Sequence, residues 1–186
     1  MNGDSKHTGE QVILRPIKPQ DDSFLFQVYA STRADEMGLV NWSEAQKADF
    51  LQMQFNAQRQ HYLRYFPQAE YSLICLEDHR PIGRIIIDRS RDEILLMDIA
   101  LLPGYRNAGI GRRLVRDIQN EARAKGLPVR LHVELFNRAV HLYERLGFSR
   151  IGENGIYLKM EWLPSIDEAT QNQKVEKDKI DAREAI

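Results

Sequence analysis

Hydrophobic positions recur along this chain in two periods, and the switches between them lay out its elements. Val12 to Ile17 (VILRPI) is a short β-rich run that ends in proline chemistry. Phe24, Leu25, Val28 and Tyr29 then fall on one face of a helix. A second, longer helix is predicted after Trp42. Ser43 with Gln46 three residues later makes a capping box, and Ala48, Leu51, Phe55, Tyr62 and Phe66 carry its stripe. The period then becomes that of strands. EYSLICLE and PIGRIIIDR are separated by DHR, which signals a hairpin, and EILLMDIALL is nearly all apolar, as a strand covered on both faces would be. Pro103 stops that strand because it cannot donate to a ladder.

Past Pro103 the helical period returns. Ile110, Leu114, Val115, Ile118 and Ala122 share a face closed by Gly126. PVRLHVELF reads as another strand. NRAVHLYERLGF reads as a helix with Ala139, Leu142, Tyr143 and Leu146 inward and Gly147 at its end, and SRIG and IYLKMEW are the last strands. The order is strand, two helices, three strands, helix, strand, helix, two strands. That order implies an α/β or α+β layer on a mixed sheet rather than a regular βαβ alternation. No internal repeat or linker interrupts Val12 to Leu163. The expected organisation is a loose N-terminus over 1–10, one domain over 11–164, and a charged tail over 165–186 with six acidic and four basic residues.

Composition narrows the function classes. With 42% hydrophobic and 28% charged residues the chain is of ordinary globular type. A formal net charge of −1 supplies no positive field for nucleic acid or an anionic membrane. No apolar run reaches the length of a membrane span, so a cytoplasmic protein is expected. Cys75 is the single cysteine, and it reads as a buried small hydrophobe. The five histidines show no metal-site spacing, and no metal is expected.

The stretch PGYRNAGIGRRLVRDI, Pro103 to Ile118, carries the chemistry. A Walker-type phosphate loop fails here, because Ile110 and Gly111 stand where lysine and a hydroxyl residue are needed. A dinucleotide fingerprint fails too, because Leu114 occupies the third glycine position. What remains is a strand, a short loop and a helix start whose unpaired amides can hold phosphate oxygens. Gly109 and Gly111 would let the phosphate come close, and Arg106, Arg112 and Arg113 add charge. A plain structural turn with solvated arginines is the alternative reading of the loop alone.

Arg106-Asn107-Ala108-Gly109-Ile110-Gly111 resembles the pyrophosphate loop of the GNAT superfamily of acyl-CoA-dependent N-acetyltransferases. VELFNRAVHLYERLGF is similar to that superfamily's second signature, in which an asparagine opens a helix carrying LYE-x-LGF. The resemblance covers Val12 to Trp162. It implies the acyl-CoA N-acyltransferase fold: one domain with a mixed, mostly antiparallel sheet of about seven strands, splayed central strands and about four helices. It also implies acetyl-CoA as co-substrate and a small amine or peptide as acceptor, with a homodimer allowed. Main chain at Ile99, Ala100 and Leu101 would pair with the pantetheine arm. The amides of Ala108 to Gly111 would hold the pyrophosphate, with Arg106, Asn107 and Arg112 around it. Asn137 would contact CoA or cap its helix, since asparagine serves well in either role.

The resemblance assigns chemistry as well. The departing CoA thiolate has the proton affinity of a free thiol, with a pKa of about 8.5, and Tyr143 would supply its proton. From spacing alone Tyr143 is a core residue. On the strand VRLHVELF, Arg130, His132 and Glu134 share one face. The resemblance makes Glu134 the base, with His132 as the alternative, and Asp98 is a further acidic candidate. Asp35, Glu36, Trp42 and Tyr29 would border the acceptor. A competing reading is an acyl-CoA-binding sensor or partner-binding module without catalysis.

Overall fold

In a computed structural model, residues 11–165 are described. The expected loose N-terminus and nearly all of the expected tail lie outside them. The elements run in the order β1 (Val12–Pro16), α1 (Asp22–Thr32), α2 (Ala34–Gly38), α3 (Glu44–Tyr65), β2 (Glu70–Leu76), β3 (Pro81–Arg89), β4 (Ile94–Leu101), α4 (Ile110–Lys125), β5 (Val129–Glu134), α5 (Ala139–Arg145), β6 (Ser149–Asn154) and β7 (Tyr157–Trp162). Single 3-10 turns occupy Pro19–Asp21 and Pro103–Tyr105. The strands form one seven-stranded sheet in the order β1-β2-β3-β4-β5-β7-β6. It is mixed: β4 and β5 run parallel, while the β1–β2, β2–β3, β5–β7 and β6–β7 pairs are antiparallel. That is the α/β architecture expected from the sequence, with five helices rather than about four among the described residues. The extra one, α2, is a helix of five residues that buries nothing, so no stripe announced it.

The chain divides into two compact units, and β4 contributes to both. The first holds residues up to 88 together with 97–111. Its core joins Leu25 and Tyr29 of α1, Leu51 and Phe55 of α3, and Leu73 and Cys75 of β2. Each large side chain of this kind contributes roughly 1.5–3 kcal/mol when removed from water. Helix α3 starts as its sequence requires. The Ser43 amide donates to Gln46 Oε1 at 2.9 Å, and the Gln46 amide donates to Ser43 Oγ at 3.3 Å. Ala48, expected in its stripe, is exposed instead, because only Leu51 and Phe55 of this helix are fully buried. A bidentate pair also braces this unit, Arg15 to Asp21 at 2.9 Å on both arms.

The second unit holds 89–96 and the residues from 112 onward. Leu114, Val115 and Ile118 of α4 are buried, as are Val129, Leu131 and Val133 of β5. Strand β5 alternates as expected, with Arg130 and His132 outward. Buried Gln119 of α4 donates through Nε2 to the Leu146 carbonyl at 2.8 Å, tying α4 to the end of α5. Arg89 grips Glu121 through two nitrogens at 2.8–3.0 Å, which holds that carboxyl below its usual range.

Candidate functional site

One candidate region is the junction from β4 into α4. Strand β3 supports it from below. Gly83 sits so close to β4 that a Cβ there would collide with the Ala100 carbonyl oxygen and approach Leu101 Cδ2 to 2.8 Å. A glycine inside a strand usually marks such an approach. The ladder extends one residue past β4, where the Leu102 amide donates to the Ile82 carbonyl at 2.9 Å. The recorded β4–β5 register covers three pairs, Ile94↔Val129, Leu95↔Arg130 and Leu96↔Leu131. Strand β4 itself continues to Leu101.

Beyond Pro103–Tyr105 the loop alternates between buried and exposed positions. Ala108 and Ile110 are buried, whereas Asn107 and Gly109 are exposed. Asn107 (φ 63°) and Gly109 (φ 81°) both adopt the left-handed region, which asparagine and glycine enter most readily. Among the described residues, nothing beyond the adjoining chain lies within 4 Å of where a Cβ would stand at Gly109 or Gly111. Packing therefore does not require a glycine at 111, and the space beside it is open. The first turn of α4 carries no acidic residue, and Arg112 is exposed. The first amides of an α-helix lack intrahelical acceptors and form its partly positive end. Open space, bare amides and cationic side chains together suit an anion of several oxygens.

Arg106 has a different place from the one its motif position suggests. Its Nε donates to the Leu101 carbonyl at 2.9 Å, and its Nη2 donates to the Ser31 carbonyl and hydroxyl at 3.0 and 2.9 Å. The guanidinium therefore clamps the loop to the end of α1. Asp98, half-buried on β4, is ion-paired with Arg84 of β3 at 2.6 Å. Neither Ser31, Gly83 nor Arg84 stood out in the sequence as part of this region. Gly83 carried a readable signal, a glycine inside a β-rich run. The other two depend on contacts between distant parts of the chain.

A second group of candidate residues lies on β5 and α5, within the other unit. Glu134 ends β5 opposite Tyr157 of β7, and His132 stands opposite Lys159. Partial burial, and then the Lys159 charge, hold the His132 imidazole below its usual range, while Glu93 pulls the other way. Tyr143 of α5 is buried and meets the Phe148 ring edge-on at 5.6 Å. Asn137 caps α5, its Oδ1 accepting from the Ala139 amide at 2.9 Å. Phe136, between Glu134 and Asn137, is 95% exposed. On the acceptor side, Glu36 is already paired with Arg33 at 2.8 Å, Asp35 is exposed, and Trp42 packs edge-on against Phe50 at 5.2 Å while staying half-exposed. Tyr29 is buried, with its hydroxyl donating to Gln54.

Residues 34–148 match the model of the acetyltransferase (GNAT) family. The chain belongs to that family. Among curated proteins, it is 33% identical over 81 residues to the [ribosomal protein bS18]-alanine N-acetyltransferase of Haemophilus influenzae. That match takes in 43% of this chain and 56% of the relative, little more than half of the relative's length. Among solved structures, the PaiA N-acetyltransferase of Thermoplasma acidophilum, in complex with coenzyme A, is similar over 82% of this chain and 99% of its own, with a TM-score of 0.62 at 19% identity. The spermidine/spermine N-acetyltransferase SpeG of Vibrio cholerae is similar over 82% and 92%, with a TM-score of 0.53 at 20% identity. At those identities the structures establish the GNAT-like fold. Among the described residues, no group of three or more potential ligands could hold a metal ion, and no helix is long and apolar enough to cross a membrane.

Proposed function

We propose that the domain spanning residues 11–164 is an acetyl-CoA-dependent N-acetyltransferase acting on a primary amine of a small molecule or peptide, by direct attack within a ternary complex. Family membership supports the reaction class. The observation that carries the reading is the start of α4, where Gly109 and Gly111 leave open space beside a helix end with no acidic residue in its first turn. When bound, acetyl-CoA supplies an activated acyl group on sulfur. The chain's amides from Ala108 to Gly111, with Arg112 nearby, would hold its pyrophosphate. Main chain at Ile99 to Leu101 would hold the pantetheine arm as an added strand is held.

Three jobs then fall to side chains. Glu134 would take a proton from the acceptor ammonium, directly or through water, and His132 would do so in its place if Glu134 is out of reach. The lowered His132 pKa suits that second role, since it favours the neutral, proton-accepting ring. Tyr143 would hand its proton to sulfur as the C–S bond breaks, a contribution of roughly 10²–10⁴-fold for a positioned acid. Asp35, Glu36 and Trp42 would border the acceptor, Asp35 supplying the charge that Glu36 shares with Arg33.

Mass spectrometry of an amine panel incubated with the protein and acetyl-CoA tests the reading. The panel includes polyamines, amino acids and peptides with N-terminal alanine, the last because the Haemophilus influenzae relative is named for such an acceptor. The expected result is a mass gain of one acetyl group on at least one member. Saturable acetyl-CoA binding with no product on any member would instead identify a non-catalytic acyl-CoA-binding module. Tyr143→Phe separates the roles: kcat should fall while CoA affinity holds, and an unchanged kcat would remove Tyr143 from the acid role.

A further inference from the structure

Within the first unit, α3 and the strands beneath it enclose a cavity of about 270 Å³ whose lining shares no residue with the start of α4 or with β5 and α5. Along β3 its nearest lining residue is Arg84, two residues past Ile82 and paired with Asp98 of β4. The Ile82 end of that strand meets Leu102, whereas the cavity's Ile86 lies four residues on, opposite Tyr71. Four strand residues span roughly 13 Å. The volume is just below the usual range for small-molecule sites, about 300–1,000 Å³.

The charge pattern of its wall is one-sided. Lys18, Arg59 and Arg84 line it, and no acidic residue does. The three cations are not equivalent. Arg84 is buried and already balanced, with Asp98 2.6 Å from its Nε and Gln58 accepting from its Nη2 at 3.0 Å. Lys18 is exposed, and its charge acts on the Asp21 carboxylate, which also holds Arg15. Arg59 holds Asp22 at 2.7 Å, but their side chains are 38% and 50% exposed, and pairs so open to water are weak and readily exchanged. The cations at the solvent-facing part of the wall thus outnumber the acids that hold them, since Lys18 shares Asp21 with Arg15. Inside, Leu25, Phe55 and Ile86 are buried and apolar, and Tyr62 and Tyr71 add ring faces. An apolar wall with a few placed polar groups is the usual make-up of a ligand site, and the sign of its rim selects an anion.

We propose that this cavity is a second binding site, for a small carboxylate with an aromatic or branched aliphatic body. The body lies against Phe55, Leu25 and Ile86, and the carboxylate sits at Lys18 and Arg59. Gln58 and the balanced Arg84 offer no net charge deep in the cavity, so the ligand binds with its head outward. Such a ligand needs no amine, so it need not be an acetyl acceptor.

Titration of the full chain with 3-phenylpropionate, followed by amide NMR, tests the proposal, with 3-phenylpropanamide as the uncharged twin and acetate as the head without a body. The expected result is saturable shifts at the cavity residues with 3-phenylpropionate at millimolar concentration or below, and weaker binding of both controls. Lys18→Glu and Arg59→Glu lie at the surface and keep the fold. Each should weaken 3-phenylpropionate by roughly tenfold, the scale of one charge-assisted hydrogen bond, while leaving the amide's affinity unchanged. Equal affinity for acid and amide, shifts away from the cavity, or no saturation at millimolar concentration would overturn the proposal.

Discussion

The starts of α4 and α5 are two helix beginnings in one chain, and they are finished in opposite ways. At α5 the chain satisfies itself, because Asn137 turns its side-chain oxygen onto the Ala139 amide. The start of α4 is built differently: the loop buries Ala108 and Ile110, leaves Gly109 exposed, puts no acid in the first turn and, among the described residues, leaves open space where a Cβ of residue 111 would stand. Four amides at the start of any helix need acceptors from outside it. A capped start stabilises the fold, whereas an open one holds that interaction for a ligand.

The two starts should therefore fail differently when altered. Gly111→Glu gives α4 its own anion in the open space. Acetyl-CoA affinity should drop by roughly 100-fold or more with the melting temperature little changed, since among the described residues a Cβ there meets nothing within 4 Å. Calorimetry of the variant measures this, and a drop below about threefold would show that the open start is not a ligand site. Gly83→Ala attacks the support beneath the loop. Its Cβ would collide with the Ala100 carbonyl, and a loss of about 2 kcal/mol is expected in urea unfolding, the scale of overpacking a tight contact. Wild-type stability would mean that β3 and β4 can part without cost.

Much of this contrast was legible in the sequence, because it is local. The Ser43–Gln46 box, the glycine pair and the asparagine before α5 each act within a few residues, and each stands where its spacing put it. What the sequence concealed joins residues far apart in it. Arg106 belonged to the motif, but its bonds to Ser31 cross 75 positions, so its role as a clamp could not be read from the loop. Asp98 could be read from the sequence as an acidic candidate or an ion-pair member, but only folding shows Arg84 as its partner. Helix α2 escaped for a different reason: with no buried residue, it has no hydrophobic period to read.

Smaller effects sharpen the same contrast. Asn137→Ala opens the α5 start and should cost about 1 kcal/mol, visible as a lower melting temperature. Its effect on acetyl-CoA affinity should be smaller than that of Gly111→Glu, and an equal loss would make Asn137 a ligand contact as well as a cap. The smallest effect concerns pH. The folded chain holds the His132 pKa below its unfolded value of about 6.5. The neutral ring therefore adds stability above that pH, and this is lost as pH falls through the folded pKa, because the unfolded chain takes up the proton first. His132→Gln should flatten the stability profile between pH 7.5 and pH 5, roughly the window around that pKa. A profile as steep as the wild type would mean that His132 is not held neutral by the fold.

The most direct test is an amide NMR titration with CoA and, separately, with pantetheine, which lacks the pyrophosphate. If main chain at the start of α4 grips that group, the Gly109 and Gly111 amide resonances shift strongly with CoA and stay near their free positions with pantetheine. CoA bound at saturation with those two amides unmoved would contradict the account.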